Sequence, residues 1–149
     1  MKKIVLSLLT IITFIACEKK DGAEGANVHI TGNVEGLGQG KLYIQKIQDS
    51  ALVILDSIII KGDSKFESNI KLESPEMLYL FLDRGQTNSI DNNLMFFAEP
   101  GNIKIETTLK EFFAGAKISG SKSHDLWVEF NKINRRFNED NLTLIEKRL

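Results

Sequence analysis

The chain has 149 residues, 42% of them apolar and 26% charged, with a formal net charge of −1. That is the make-up of one ordinary globular domain. The lack of a clustered basic excess argues against a nucleic-acid partner, and a single cysteine excludes an internal disulfide, so a hydrophobic core must hold the fold.

The N-terminus carries an address. Lys2 and Lys3 precede a run at 4–15 that is apolar apart from Ser7, Thr10 and Thr13. The run is too short to span a bilayer, which takes about 20 residues, but it suits a secretory signal. Ala16 supplies the small side chain of a cleavage site, and Cys17 follows at once. Phe14-Ile15-Ala16-Cys17 resembles a bacterial lipobox, although Phe14 stands where Leu is usual. The resemblance implies cleavage between Ala16 and Cys17, lipidation of Cys17, and a membrane anchor through that lipid. Several acyl chains hold firmly where one alone is marginal. Glu18 is not the Asp of an inner-membrane retention signal, so the expected location is the cell envelope, at the outer membrane, facing periplasm or cell surface. Without Lys2 and Lys3, 17 of the 19 basic residues face 20 acidic ones, a net charge near −3.

The polar stretch at 18–27, EKKDGAEGAN, reads as a flexible tether. The hydrophobic period then becomes two. In VHITGNV, Val28, Ile30 and Val34 share an inward face, and Gly32 reads as a bulge. EGLGQGK is followed by the strand-like KLYIQKI rather than by a helix that could hold a phosphate, so it reads as a β-hairpin connection. ALVILDSIIIK predicts a strand covered on both faces, with polar positions at Asp56 and Ser57. After a turn at Gly62-Asp63, KFESNIKL alternates, with Phe66, Ser68, Ile70 and Leu72 inward. MLYLFLD is a buried run, 84–93 a polar loop, and LMFFAE a strand. Pro100-Gly101 suits a type II turn, and Ile103 and Ile105 point inward beyond it. A short helical turn over LKEFF and a last strand at AKIS complete seven or eight strands. The pattern predicts a mainly β fold, an antiparallel β-sandwich or barrel.

Beyond Gly120 the period becomes helical. Ser123 is the expected helix cap and Asp125 its early acid. Leu126, Phe130, Ile133 and Phe137 form one apolar stripe, suited to core packing, self-association or a protein partner. NEDN at 138–141 interrupts the stripe, so a bend is expected there, with Leu142, Ile145 and Leu149 on a second segment that reads as cut inside a helix. The expected organisation is a signal peptide at 1–16, an acylated tether at 17–27, a β-sandwich at 28–120, and an incomplete helical extension at 121–149.

No constellation predicts catalysis. Ser123, His124 and Asp125 are neighbours in sequence, where side chains diverge, whereas a triad must converge in space. Two histidines and one cysteine cannot supply a closed zinc set. Asp83, Asp91 and Glu99 lack the spacing of an EF-hand loop. No cofactor or metal is expected.

GNVEGL, KLYI, LDSIIIKGDSKFES, FFAEPGNIKI and ISGSKSHDLW together resemble the uncharacterised β-domain of Bacteroidetes lipoproteins, over roughly residues 27–130. That domain of unknown function commonly precedes a TlpA-like thioredoxin domain. The resemblance implies a β-sandwich in the envelope and no established catalytic residues. Thiol–disulfide exchange needs a Cys-x-x-Cys pair, which this chain lacks. The expected function is therefore a non-catalytic envelope lipoprotein, a binding or spacer module. The alternative is an accessory module of a thiol-disulfide oxidoreductase whose thioredoxin domain is absent from this chain.

Overall fold

The structure, a computed structural model, describes residues 24–85 and 90–148. The expected signal peptide at 1–16, Cys17, the start of the expected tether and Leu149 lie outside the described residues. Eight strands form two four-stranded sheets. The strands are β1 (Val28–Glu35), β2 (Gln39–Gln48), β3 (Ala51–Lys61), β4 (Lys65–Ile70), β5 (Glu76–Asp83), β6 (Asn93–Ala98), β7 (Gly101–Thr108) and β8 (Lys117–Ser119), and the helix α1 (Lys122–Glu146) follows them. One sheet has the order β4-β1-β7-β8 and the other β3-β2-β5-β6. Neither closes on itself, so the fold is a sandwich and not a barrel.

The strands form where the alternating pattern puts them. Val28, Ile30, Val34, Leu78, Leu80, Phe96, Ile103 and Ile105 are all buried between the sheets. Phe66, Ser68, Ile70 and Leu72 also face inward, as their alternation predicts. Ser68 is the polar member of that row. Its hydroxyl donates to Asp56 Oδ2 at 2.5 Å, which links β4 of one sheet to β3 of the other.

Several local expectations are corrected. The β1–β2 connection is no hairpin, because the two strands belong to different sheets. Leu37 explains the crossing: its side chain is buried, so the loop is drawn over the end of the core. Hydrogen bonds from Val34 N–H to the Ser64 carbonyl and from Gly62 N–H to the Gly38 carbonyl join this crossing to the β3–β4 crossing. Pro100-Gly101 likewise carries the chain from one sheet to the other. The sandwich is not wholly antiparallel, since β1 and β7 pair in parallel. Excursions through the opposite sheet supply the long connection that a parallel pair needs.

Gly32 is not a bulge. The pairing runs through it without a shift, to Phe66 on one side and Ile105 on the other. A Cβ there would lie 2.3 Å from the Phe66 ring and 2.5 Å from the Ile105 carbonyl oxygen. Glycine leaves the room in which the Phe66 ring lies across β1. The irregularity falls instead between Ile44 and Gln45 in the β2–β3 pair.

The strand β3 is not covered on both faces. It is an edge strand: Ile58 and Ile60 are buried in the core, Leu55 packs against it half-buried, and Ile47 and Leu52, Val53, Ile54 and Ile59 around the hairpin are exposed. The neighbouring strand β5 pairs with β2 only from Lys41 to Gln45, so beyond the Lys46–Glu76 ion pair the hairpin tip has no strand ladder on that side. Asp49 and Ser50 close that hairpin with φ of 50° and 66°, the left-handed pair of a tight turn that follows strand twist.

The helix α1 is continuous over 25 residues, with no break at 138–141. Asn, Glu and Asp are weaker or ordinary helix formers whose cost is tenths of a kcal/mol, unlike Gly or Pro. The cap is Ser121 rather than Ser123: the Ser121 backbone is extended and its hydroxyl accepts from His124 N–H at 3.0 Å. Gly120 sets that start. Its φ is +91°, and a Cβ would meet the Asn102 carbonyl oxygen at 2.0 Å.

Candidate functional site

The strands β6 and β8 end their respective sheets on the same side of the sandwich, and the first turns of α1 lie across both. Four side chains hold the helix there. Ser121 caps it from within. Glu99, just after β6, accepts from Lys122 N–H at 2.5 Å and from the Ser123 hydroxyl at 2.8 Å. These bonds hold the Glu99 carboxyl below its ordinary pKa, with the Ser123 hydroxyl the largest cause and Lys122 N–H next. They also satisfy donors that a helix start leaves orphaned.

His124 is the buried residue of the helix, 6% exposed. Its Nδ1 accepts from Phe97 N–H at 3.4 Å, so Nε2 carries the proton in the neutral ring. Burial pushes the imidazole below its usual pKa, and Asp125 opposes this more weakly. The Trp127 ring packs 5.5 Å from the His124 ring and 6.2 Å from that of Phe97. Ser123, His124 and Asp125 therefore do not form a relay. Ser123 serves Glu99, and His124 serves β6.

The other residues weighed for chemistry and set aside are spread apart in role. Asp83 Oδ1 accepts from Gly85 N–H, and Asp91 pairs with Arg84 at 3.6 Å and accepts from Phe113 N–H. His29 is exposed on β1 and bonds Asn69. Among the described residues, no three His, Cys, Asp or Glu side chains gather as a metal set.

The remaining length of α1 projects from this attachment. At 1.5 Å per residue the whole helix spans roughly 37 Å, and from Lys132 to Asp140 every residue is exposed. Leu126, Phe130, Ile133 and Phe137 are 66%, 58%, 53% and 63% exposed. At about 100° per residue, these four fall within an arc of about 60°. His124, Trp127, Val128 and Asn131 are buried or half-buried and centre about 140° away from it, while Ser123, held by Glu99, lies about 50° from it. The stripe therefore points away from the sheets that could have covered it. Sequence reasoning found the stripe residues. It weighed Glu99 only as a cation ligand and missed Ser121 and Trp127, and a serine directly after a strand-ending glycine was the available signal for the cap.

A second exposed apolar patch lies at the hairpin tip, where Ile47, Leu52 and Ile54 are 57%, 59% and 53% exposed. Among the described residues no helix is long and apolar enough to cross a membrane.

The fold and the attached helix define a two-sheet β-sandwich module that presents an uncovered helical face. Over residues 28–127 the chain matches the family described as a domain of unknown function (DUF4369), and it belongs to that family. The match ends at Trp127, so it takes in the sandwich and the helix attachment and leaves the projecting part of α1 outside. No curated protein matches the chain.

Proposed function

We propose that this protein is a non-catalytic, lipid-anchored module of the cell envelope, whose binding face is the exposed stripe of α1. The observation that carries the reading is the exposure of Leu126, Phe130, Ile133 and Phe137, each more than half open to water on one line of one helix. Large apolar side chains scattered singly on a surface need no explanation, but a contiguous row marks an interaction face. A helix that lays such a row into a partner is a recurring mode of protein recognition. The chemistry-bearing residues at the helix start are engaged in attachment, which supports a mechanical role over a catalytic one. The sequence of Lys2 to Cys17 supports the anchor, with the lipid on Cys17 and the polar tether separating membrane from sandwich.

The test is the size of the full chain extracted from membranes. Phe130→Asp and Phe137→Asp place a charge in the stripe without touching the core. Wild type should sediment as a larger assembly, and both variants as the single chain. Equal sizes for all three would refute the stripe as a binding face.

A further inference from the structure

We infer that α1 pairs with α1 of a second copy of this chain, antiparallel and in one register. The inference rests on the stripe being a binding face and names what covers it. The stripe repeats as a heptad: Phe130, Phe137 and Leu144 occupy one apolar position, and Leu126, Ile133 and Asp140 occupy the other. Asp140 is the single charge in the row, and it discriminates among pairings. A parallel pair in register stacks Asp140 on Asp140, two like charges in one layer. Antiparallel pairs with longer overlap set Asp140 against Phe130 or Phe137, which buries a carboxylate without a partner at a cost of several kcal/mol. A shorter overlap keeps only two apolar layers.

One antiparallel register keeps four. Leu126 packs on Phe137 of the second copy, Phe130 on its Ile133, and the same two layers repeat by symmetry. Asp140 then lies beyond the apolar stretch, opposite Ser123 in the first turn of the other helix. The flanking charges agree with this register and with no parallel one. Glu129 and Arg136 both border the seam on the same side, and in the antiparallel register Glu129 of each copy faces Arg136 of the other. In a parallel pair Glu129 would face Asn134, and Arg136 would face Asn141. Both charged residues are exposed in the single chain, and among the described residues neither is used in an ion pair. The paired interface is self-complementary about a two-fold axis, as a closed dimer requires. The attachment of α1 to β6 and β8 reaches the seam line only at Ser123, held by Glu99, and leaves the four apolar layers clear, since the stripe faces away from the sandwich. An overlap of 12 residues is roughly 18 Å long. This makes a weak contact, strengthened when two anchored copies share one membrane surface.

The test is charge exchange across the seam, read by sedimentation equilibrium of the full chain in mild detergent with helicity checked by circular dichroism. Wild type should shift toward twice the chain mass as concentration rises. Glu129→Arg alone and Arg136→Glu alone each oppose like charges twice, and each should weaken association by at least about tenfold, some 1.4 kcal/mol. An equimolar mixture of the two single variants restores both opposite-charge contacts in a heterodimer and should regain wild-type association. So should the double variant. A wild-type chain that stays monomeric, single variants that associate like wild type, or a mixture that fails to regain association would each overturn the inference. An extracted assembly that contains a different protein on the stripe would also overturn it, while leaving the stripe a binding face.

Discussion

Ser68 donates its hydroxyl proton to Asp56 across the space between the two sheets, at 2.5 Å. Ser68 is 2% exposed and stands in an inward row otherwise made of Phe66, Ile70 and Leu72. A hydroxyl is placed in the core here because a carboxylate from the opposite sheet reaches it. Ser68→Ala should remove that partner and destabilise the fold by about 1–3 kcal/mol, the cost of leaving a polar group unpaired. Urea unfolding checks this. An unchanged midpoint would mean that water replaces the bond.

Gly32 and Phe66 are a second such pair. Phe66→Ala should cost roughly 3–5 kcal/mol, as for other truncated core aromatics. Gly32→Ala should cost about 1–3 kcal/mol or more through overpacking. The double variant should be less stable than Phe66→Ala alone, because the added Cβ still meets the Ile105 carbonyl oxygen at 2.5 Å. Equal stability of the double variant and Phe66→Ala in thermal unfolding would place the whole conflict on the Phe66 ring.

Attachment of α1 should weaken in acid. The His124 pKa is lowered from 6.5 in the fold, so the unfolded chain binds the proton first. Its contribution is complete above about pH 6.5 and is lost as pH falls below that. The Glu99 pKa is lowered from 4.5, so its contribution is complete above about pH 4.5 and is lost further into acid. Both signs favour the folded attachment at neutral pH. Trp127, the only tryptophan, reports the attachment through its fluorescence. Its unfolding midpoint should fall between pH 7.5 and pH 5.5, and His124→Gln should flatten that dependence.

The row of inward side chains on β4 was legible from the sequence because a strand with one buried face alternates strictly, and Phe66 to Leu72 do so without exception. The exposure of β3 was not legible. Its β-branched run is the composition of a buried strand, yet exposure was decided by its place at a sheet edge and by the short reach of β5, both long-range facts. The same holds for the connection after β1, where glycines suggest a tight turn and the burial of Leu37 makes a crossing. In α1 the stripe was legible from its spacing alone. Its continuity through 138–141 was not, because an interrupted stripe reports on the partner face and not on the backbone. The cap was misplaced by two residues, since Ser121 and Ser123 are equivalent by type and only the geometry at Gly120 separates them.

Cys17→Ser should move the protein from the detergent phase to the aqueous phase in a phase-partition assay. The expectation follows from Lys2, Lys3, the apolar run and Ala16. A variant that stays in the detergent phase would contradict anchoring through Cys17.

Photo-cross-linking from α1 in intact membranes reports whether a protein covers the stripe. A photoreactive side chain placed at Ile133 lies in the stripe, and one placed at Arg135 lies on the opposite side of the same helix, equally open to water. Protein adducts are expected from position 133 and none above background from position 135. Equal yields at the two positions, or none at either, would contradict that expectation.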